Sequence, residues 1–437
     1  MSTVIQKITA HQILDSRGNP TIEANVFLSD GSMGTASVPS GASTGDKEAI
    51  ELRDTHNPKW CYRGVFLAIE NIEKIIAPAL CNKSPFDLEK IDQTMKDLDG
   101  TKNKSKLGAN AILAVSLATL KSAAISQKSS LFGYISKIYL EKEKNEKIFE
   151  NYLMPTPMMN ILNGGSHADN NVDIQEFMIM PINFSSYSDA LRCGTEIFHQ
   201  LKKTLKNKGY STAIGDEGGF APNLKSNKEA LDLIMTAIKK AGYKPGKDVF
   251  LALDVAASEF YNSSLNQYFL DSENKKLTSK ELIDYYDNLC CEYPILSIED
   301  GIDQNDWKGW QDLNAALGKK IQIVGDDLTV TNPQLLKKAI ECSAMNSILI
   351  KLNQIGTFTE TMDAIMLAKK NNFKTIISHR SGETEDTTIA DLAVGVAAGQ
   401  IKTGSLCRTD RTAKYNQLLR IEKELKNKVQ YSKTIEQ

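Results

Sequence analysis

Acidic residues end three consecutive apolar runs in the second half of the chain. These run ends are Asp254, Glu299 and Asp326. Carboxylates that share one site repel each other and raise one another's pKa, and a divalent cation relieves this repulsion. Ligand sets of oxygen without Cys or His favour Mg²⁺ over Zn²⁺. Each acid taken singly is explained by a helix N-cap, but three at the same position of consecutive units favour a metal site.

Basic residues end the next three apolar runs: Lys351, His379 with Arg380 after it, and Lys402. Lys351 lies in an otherwise apolar strand, where an unpaired lysine costs free energy. Burial and neighbouring positive charge would both lower the pKa of its ammonium group toward the range of a general base. The alternative is a lysine that is ion-paired to one of the three acids. The spacing alone does not decide whether Lys351 or Lys402 is the base.

The apolar runs alternate with amphipathic helical stretches. From Glu299 onward the run ends recur every 23–28 residues, which is the length of a strand, a helix and two loops. Successive units of this kind form parallel sheets, and enough of them close into a barrel whose strand ends converge on one site. An open, doubly wound sheet is the alternative. We favour the barrel because no strand is followed by a G-x-G-x-x-G loop.

Two polar segments, residues 163–177 and 215–223, lie upstream of the regular repeat. Paired glycines beside carboxylates let the backbone and the acid approach a ligand closely, although ordinary Gly/Asn turns explain both segments equally well. A cation site, a base in positive surroundings and further acids together describe metal-assisted proton abstraction next to a carboxylate. A carboxylic acid on the far side can then protonate a leaving hydroxyl, so the predicted reaction is dehydration by elimination.

The first part of the chain has another pattern. Alternation at residues 22–28 and the Asp30-Gly31 turn predict antiparallel strands, which are followed by a loop of small residues at 40–45. The pattern then becomes helical over residues 47–127, with a buried helix at 110–124.

A mixed charge run at residues 141–150 separates the two patterns. Such runs are usually solvated, and we place a domain boundary there. The prediction is an α/β protein with an N-terminal antiparallel α+β capping domain (1–140) and an α/β, TIM-like barrel as the catalytic domain (141–437).

The composition is that of a globular enzyme. The 437 residues include 52 Lys and Arg and 54 Asp and Glu, a net charge of −2 that argues against nucleic acid or an anionic membrane as the main partner. No apolar stretch approaches the ~20 residues of a membrane span, and the first residues lack the order of a secretion signal. The seven cysteines form no C-x-x-C pair. We therefore expect a cytoplasmic protein that begins at or near Met1, with its cysteines as small buried apolar residues.

Motifs throughout the chain carry a resemblance to a known family. They are DSRGNP at 15–20, VPSGASTG at 38–45, KSKLGAN at 104–110, GDEGG at 215–219, SIEDG at 297–301, SHRSGETED at 378–386 and GQIKTG at 399–404. Their order over nearly the whole length resembles the enolase family, and residues 169–176 resemble its bacterial branch. The resemblance implies a small β-meander with a helical bundle, followed by an eight-stranded barrel whose first turns are irregular.

The resemblance also implies the reaction, which is the reversible, Mg²⁺-dependent dehydration of 2-phosphoglycerate to phosphoenolpyruvate. It implies that the first Mg²⁺ is bound by Asp254, Glu299 and Asp326. Ser43, on the loop of small residues, would ligate a second, substrate-assisted Mg²⁺ as the loop closes. Lys351 would take the C2 proton, and Glu217, supported by Glu176, would protonate the departing 3-hydroxyl.

The remaining roles that the resemblance implies concern the substrate. His167 would complete the catalytic set and line the substrate site with Gln175. Arg380 and Ser381 would hold the phosphate, a suitable pair of bidentate and hydroxyl donors, with His379 beside it. Lys402 would neutralise the substrate carboxylate.

Two other hypotheses remain open from the sequence. A barrel aldolase would use Lys351 as a Schiff base, but it would not need three acids on consecutive strands. A second, non-catalytic role in binding plasminogen or an RNA-processing assembly is known for some members of the family, and it would go with a cell-surface or secreted fraction. The resemblance further implies a homodimer, with a higher oligomer as the alternative.

Overall fold

The computed structural model describes residues 3–42, 44–144 and 151–432. The first three strands form an antiparallel sheet in chain order: β1 (Ile5–Leu14), β2 (Pro20–Leu28) and β3 (Met33–Ser37). The alternate residues of β2 are buried, namely Ile22, Ala24, Val26 and Leu28. The period of two in the sequence therefore identifies the inward face of the strand.

Five α-helices follow this sheet in the described residues up to 144: α1 (Phe66–Asn71), α2 (Ala77–Leu80), α3 (Leu88–Asp99), α4 (Ala109–Ser126) and α5 (Leu131–Lys142), with a π-helical segment, Ile72–Ile76, between α1 and α2. The helical pattern expected from residue 47 is wrong up to residue 65, where only a short 3-10 turn, Lys59–Tyr62, is present. The backbone there pairs with distant segments instead. The Ala49 N–H donates to Gln354 O at 2.8 Å, and the Ala109 N–H donates to Ile50 O at 2.8 Å.

Helix α4 is the buried helix that the sequence predicts, and it packs against β2 and β3. A Cβ atom on Gly34 would lie 2.2 Å from Ala118 O, so glycine is needed for this close approach of strand to helix. Among the described residues, α4 alone has the length and composition to cross a membrane, and 83% of that stretch is buried inside the protein. Such burial is typical of a core helix.

Within residues 151–432, which the structure describes, the second part of the chain contains thirteen strands and nine α-helices. Its strands are β4 (Tyr152–Met154), β5 (Thr156–Asn163), β6 (Glu176–Pro181), β7 (Val249–Asp254), β8 (Tyr261–Asn262), β9 (Gln267–Leu270), β10 (Lys275–Leu277), β11 (Ile295–Glu299), β12 (Gln322–Gly325), β13 (Ser347–Ile350), β14 (Lys374–Ser378), β15 (Gly399–Lys402) and β16 (Val429–Tyr431). Its helices are α6 (Tyr187–Asn207), α7 (Asn227–Lys240), α8 (Ser279–Glu292), α9 (Trp307–Leu317), α10 (Pro333–Glu341), α11 (Leu352–Ile355), α12 (Phe358–Lys370), α13 (Thr388–Gly395) and α14 (Thr409–Leu425).

Eight of these strands close into a barrel in the order β5-β6-β7-β11-β12-β13-β14-β15, which confirms the predicted barrel and excludes the open sheet. Strand β6 is antiparallel to β5 and β7, and the other neighbours are parallel, so the first turns are irregular as the resemblance implies. The predicted run ends lie at the C-terminal ends of their strands. Asp254, Glu299 and Lys402 are last residues, and Asp326 and Lys351 follow β12 and β13 directly.

The barrel interior contains a layer of apolar side chains. This apolar layer consists of Met158, Met178, Met180, Ile182, Ala252, Val324, Leu349 and Ile376. One polar pair, Gln322 and Gln400, is also buried and exchanges two amide hydrogen bonds, of 3.0 and 2.7 Å. Each amide thereby satisfies the other, as a polar group in the interior requires.

The N-terminal part docks on the barrel through the loop that follows β14. Ser40 and Gly382 exchange two backbone hydrogen bonds, of 2.7 and 2.8 Å, and Lys121 on α4 lies 2.6 Å from Asp386. A Cβ atom on Gly382 would lie 2.6 Å from an Asp15 carboxylate oxygen. The boundary at residues 140–141 stays a prediction, and most of the charge run lies outside the described residues.

All seven cysteines are free thiols. Cys193 is buried, as predicted, but Cys61 and Cys291 are exposed, so the prediction of small buried residues is wrong for these two. Cys61 lies in the 3-10 turn before α1, where no residue is buried. Cys291 lies in the last turn of α8, outside the buried face of that helix.

Candidate active site at the barrel mouth

A cavity opens at the C-terminal ends of the barrel strands. Most of the predicted site residues line it: His167, Gln175, Glu176, Glu217, Asp254, Asp326, Lys351, His379, Arg380, Ser381 and Lys402. Glu299 is bound to Lys402 but does not line the cavity, and Ser43 lies outside the described residues. The fold therefore brings together side chains that are up to 235 positions apart, because parallel strands end on one side of the barrel.

Lys402 lies at the centre of a buried acidic group. Its Nζ is 2.7 Å from Asp254 Oδ2, 2.9 Å from Glu299 Oε1 and 3.3 Å from Glu176 Oε1. Burial opposes the charge of Lys402, but the carboxylates outweigh it and raise the pKa of the lysine well above its usual value. Burial and the Asp254 carboxylate raise the pKa of Glu299 well above its usual range. For Asp254, the contact with Lys402 overcomes the effect of burial and lowers the pKa.

Lys351 is ion-paired with Asp326. The sequence predicts a lowered pKa for this lysine, and that prediction is wrong. Burial lowers the pKa, but the Asp326 carboxylate outweighs burial and the repulsion of Arg380, so the pKa rises to about 12. The alternative considered from the sequence, a lysine that is ion-paired to one of the three acids, is the arrangement in the structure. Gln354 Nε2 holds the other oxygen of Asp326 at 2.8 Å.

Two histidines and two glutamates form a second group of side chains in the cavity lining. His167 Nδ1 lies 3.4 Å from Glu176 Oε1 and 3.6 Å from Glu217 Oε1, and His379 Nε2 lies 3.3 Å from Glu217 Oε1. The second oxygen of Glu217 accepts a hydrogen bond of 3.1 Å from Asn160 Nδ2. All of these side chains are buried.

The environments of the two glutamates push their pKa values apart. Burial and the neighbouring Glu217 raise the pKa of Glu176 well above its usual value. Burial would also raise the pKa of Glu217, but the rings of His379 and His167 outweigh it and hold the pKa well below its usual value. Burial lowers the pKa of both histidines, that of His379 to about 3.

Arg380 and Ser381 follow β14 and are tied to the N-terminal part of the chain. Arg380 binds both oxygens of Glu48, with Nη1 at 2.8 Å and Nη2 at 3.1 Å, and it also donates to Asn353 Oδ1 at 3.0 Å. The hydroxyl of Ser381 accepts the Ala42 N–H at 2.7 Å. Ala42, the residue before Ser43, therefore joins the loop of small residues to Ser381, one of the two predicted phosphate ligands.

The donor set at the mouth fits a hard divalent cation. Asp254, Glu299 and Asp326 offer only oxygen, they are buried, and ammonium groups now balance their charges. Within the described part of the chain, two groups also have ligand atoms close enough for one ion: His167, Glu176 and Glu217, and Asp300, Asp326 and Asp327. Asp326 thus belongs both to the predicted triad and to a compact acidic group.

Sequence reasoning missed several residues that shape the site. Asp300 accepts the backbone N–H groups of Asp326 and Asp327 at 2.9 and 3.0 Å, and burial and Asp327 raise its pKa well above the usual value. The motif at 297–301 contains Asp300, so that signal was available. Glu48 and Gln354 act through side-chain contacts with residues more than 25 positions away, for which no local pattern exists.

Two family models together match most of the chain. Residues 5–135 match the N-terminal domain of enolase, and residues 151–436 match its C-terminal TIM barrel domain. The chain belongs to the enolase family. An enolase-family protein is an enzyme of the lyase type that acts on a small molecule and uses Mg²⁺, and the acidic groups at this barrel mouth can hold such an ion.

Proposed function

We propose that this enolase-family protein is the glycolytic enzyme, of bacterial type, that reversibly dehydrates 2-phosphoglycerate to phosphoenolpyruvate. The observation that carries the proposal is that one cavity is lined both by Lys351 and by the Glu176–Glu217 pair. The pKa of Glu176 is raised and that of Glu217 is lowered, so the two glutamates differ in proton affinity. An elimination needs a base and an acid in one site, with environments that push their proton affinities apart.

The substrate is a phosphorylated carboxylate, and the cavity offers a cationic group for each end of it. Arg380 and Ser381 would hold the phosphate beside His379, and Lys402 would neutralise the carboxylate. His167 and Gln175 line the intervening wall. Closure of the loop of small residues, 40–45, would exclude water and strengthen every charge contact inside the cavity.

Asp254, Glu299 and Asp326 would hold one Mg²⁺, and Ser43 would contribute to a second. The ions would supply stabilisation of the negative charge that develops on the substrate carboxylate. Lys351 would take the C2 proton as a neutral amine, so its ammonium group must first release a proton to solvent. The ion pair with Asp326, which raises the pKa of Lys351 to about 12, opposes that release.

Glu217 would deliver the proton to the departing 3-hydroxyl. In the structure one oxygen of Glu217 accepts from Asn160 and the other faces the ring of His379. Glu176, whose pKa is raised, would supply Glu217 with the proton before water leaves. This assigns the two proton transfers to different residues of the cavity.

The test separates the two steps. Glu217→Gln should retain exchange of the substrate C2 proton with solvent deuterium but should stop water loss, because it acts only in the second step. Glu259→Gln is the matched control, since Glu259 also lines the cavity but has no assigned role. Loss of C2 exchange in Glu217→Gln would contradict the division of labour, and full turnover in excess chelator would contradict the metal requirement.

We also propose that the enzyme works in the cytoplasm as a homodimer. The seven free thiols support a reducing compartment. Sedimentation equilibrium at micromolar concentration should give twice the chain mass of 48.3 kDa, and a mass of one chain would contradict the dimer.

A further inference from the structure

Arg411 is a fully buried arginine in the first turn of α14, and no motif of the sequence singles it out. Its guanidinium group joins the loop after β14 to the loop that carries Glu217. Nη1 donates to Arg380 O and Nη2 to Ser381 O, both at 2.6 Å, and Nη2 also donates to Asp216 O at 3.3 Å. Its Nε lies 2.7 Å from Asp410 Oδ2, so the charge of the buried cation is balanced.

The remaining contact of Arg411 is chemically informative. Nη1 also faces Nδ1 of His379, and both residues are buried. A guanidinium group has five N–H donors, no acceptor, and a pKa too high for deprotonation in a protein. His379 Nδ1 must therefore accept in this contact, and the single proton of the neutral ring lies on Nε2.

The protonated nitrogen faces the proposed acid of the reaction. His379 Nε2 lies 3.3 Å from Glu217 Oε1, while Asn160 donates to Glu217 Oε2 at 3.1 Å. With Nε2 protonated, both oxygens of Glu217 face N–H donors. The other tautomer would place a lone pair against Oε1 and repel the carboxylate.

We propose that Arg411 is a positioning residue that fixes His379 in its Nε2–H tautomer, so that the ring presents an N–H, and not a lone pair, to Glu217. The kinetic part of this inference rests on the proposed role of Glu217, but the tautomer itself does not.

The first test measures the tautomer in the full-length protein without substrate. The chain has only five histidines, so ¹⁵N-histidine labelling gives few signals, and His379→Gln assigns the relevant one. We expect one His379 ring with a protonated Nε2 and an unprotonated Nδ1. In Arg411→Lys and Arg411→Met we expect a mixture of both tautomers. A protonated Nδ1 in the unmodified protein, or an unchanged tautomer in both variants, would overturn the proposal.

The control variant is Arg408→Met. Arg408 precedes α14, is ion-paired to the same Asp410 at 3.4 Å, and donates to Ser16 O rather than to His379. It should leave the His379 signals unchanged, and a tautomer mixture in this variant would show that charge near the helix start, not the Arg411 contact, sets the proton.

The second test is a double-mutant cycle for turnover. Arg411→Lys should lower kcat by about 10- to 100-fold, as loss of an orienting partner commonly does, with KM changed by less than about threefold. His379→Gln retains an amide N–H at the position of Nε2 and has no tautomer to fix. In that background Arg411→Lys should change kcat by less than about threefold. A full effect of Arg411→Lys on kcat in the His379→Gln background would overturn the proposal. Because the tautomer is measured without substrate, failure of the proposed reaction can be distinguished from failure of the tautomer proposal.

Discussion

The same barrel strands build two opposite environments two residues apart. Ala252 precedes Asp254 on β7, Leu349 precedes Lys351 after β13, and in each case the first residue belongs to the apolar layer. A step of two residues keeps the side chain on the same face of the strand and moves it by about 6.6 Å. The interior therefore changes within that distance from close-packed Met, Leu and Ile to buried acids and lysines.

The difference shows what each environment contributes. The apolar layer gains free energy by burial, and its one polar pair is mutually satisfied. At the mouth, burial raises the pKa values of Glu176 and Glu299 well above their usual values, which means that ionisation there opposes folding. We infer that the apolar layer holds the charged groups in place at the cost of their solvation, which is the usual relation between a rigid scaffold and a reactive site.

The largest effect is expected from Lys351→Ala. It removes the proposed base, so turnover and C2 proton exchange should fall by about 10²- to 10⁴-fold, the usual contribution of a general base. Exchange at the normal rate in a folded Lys351→Ala protein would contradict the assignment of the base.

Leu349→Ala, two residues earlier, is the counterpart. It removes a fully buried side chain of the apolar layer and should lower the free energy of unfolding by about 2–5 kcal/mol. Urea unfolding measures this loss, and turnover per folded molecule should fall much less than in Lys351→Ala. An equal loss of turnover would show that the two environments are not separable.

The Gln322–Gln400 pair tests whether a buried polar group in the barrel interior lowers the free energy of unfolding when its partner is removed. Gln322→Leu leaves the Gln400 amide buried without its partner and should reduce the free energy of unfolding by about 1–3 kcal/mol. The double substitution Gln322→Leu with Gln400→Leu should recover most of that loss. If the double variant is as unstable as the single one, packing rather than hydrogen bonding explains the effect.

The smallest expected effect concerns pH. Burial lowers the pKa of His379 to about 3 from 6.5, so the unfolded chain takes up a proton on this residue below pH 6.5 while the folded protein does not. The stability associated with the neutral ring is complete above pH 6.5 and is lost as the pH falls toward 3. As the pH falls from 8 to 5.5, protonation of His379 in the unfolded chain should lower the free energy of unfolding by about 1.4 kcal/mol.

The measurement is urea unfolding at both pH values for the unmodified protein and for His379→Gln. The variant should lose about 1.4 kcal/mol less stability than the unmodified protein over this range. The Leu349→Ala difference should be the same at both pH values, since the apolar layer does not titrate. A pH effect that is identical with and without His379 would contradict the assignment.

The strand ends and the barrel could be predicted because both depend on local repeats. The positions of Asp254, Glu299 and Lys402 at strand ends follow from short apolar runs and from the spacing between them. The protonation states could not be predicted in this way. The pKa of Lys351 depends on its contact with Asp326, 25 residues away, and that contact reverses the direction expected from burial.

The amino-acid sequence by itself determines the family, the barrel and the set of charged side chains delivered to its mouth, since motif and period are properties of neighbouring residues. Only the tertiary structure decides which charge neutralises which, and whether a contact such as that of Arg411 with His379 exists. The physical reason is that Coulomb and hydrogen-bond energies depend on distances of a few ångströms between side chains, and the chain fixes those distances only when distant segments pack together.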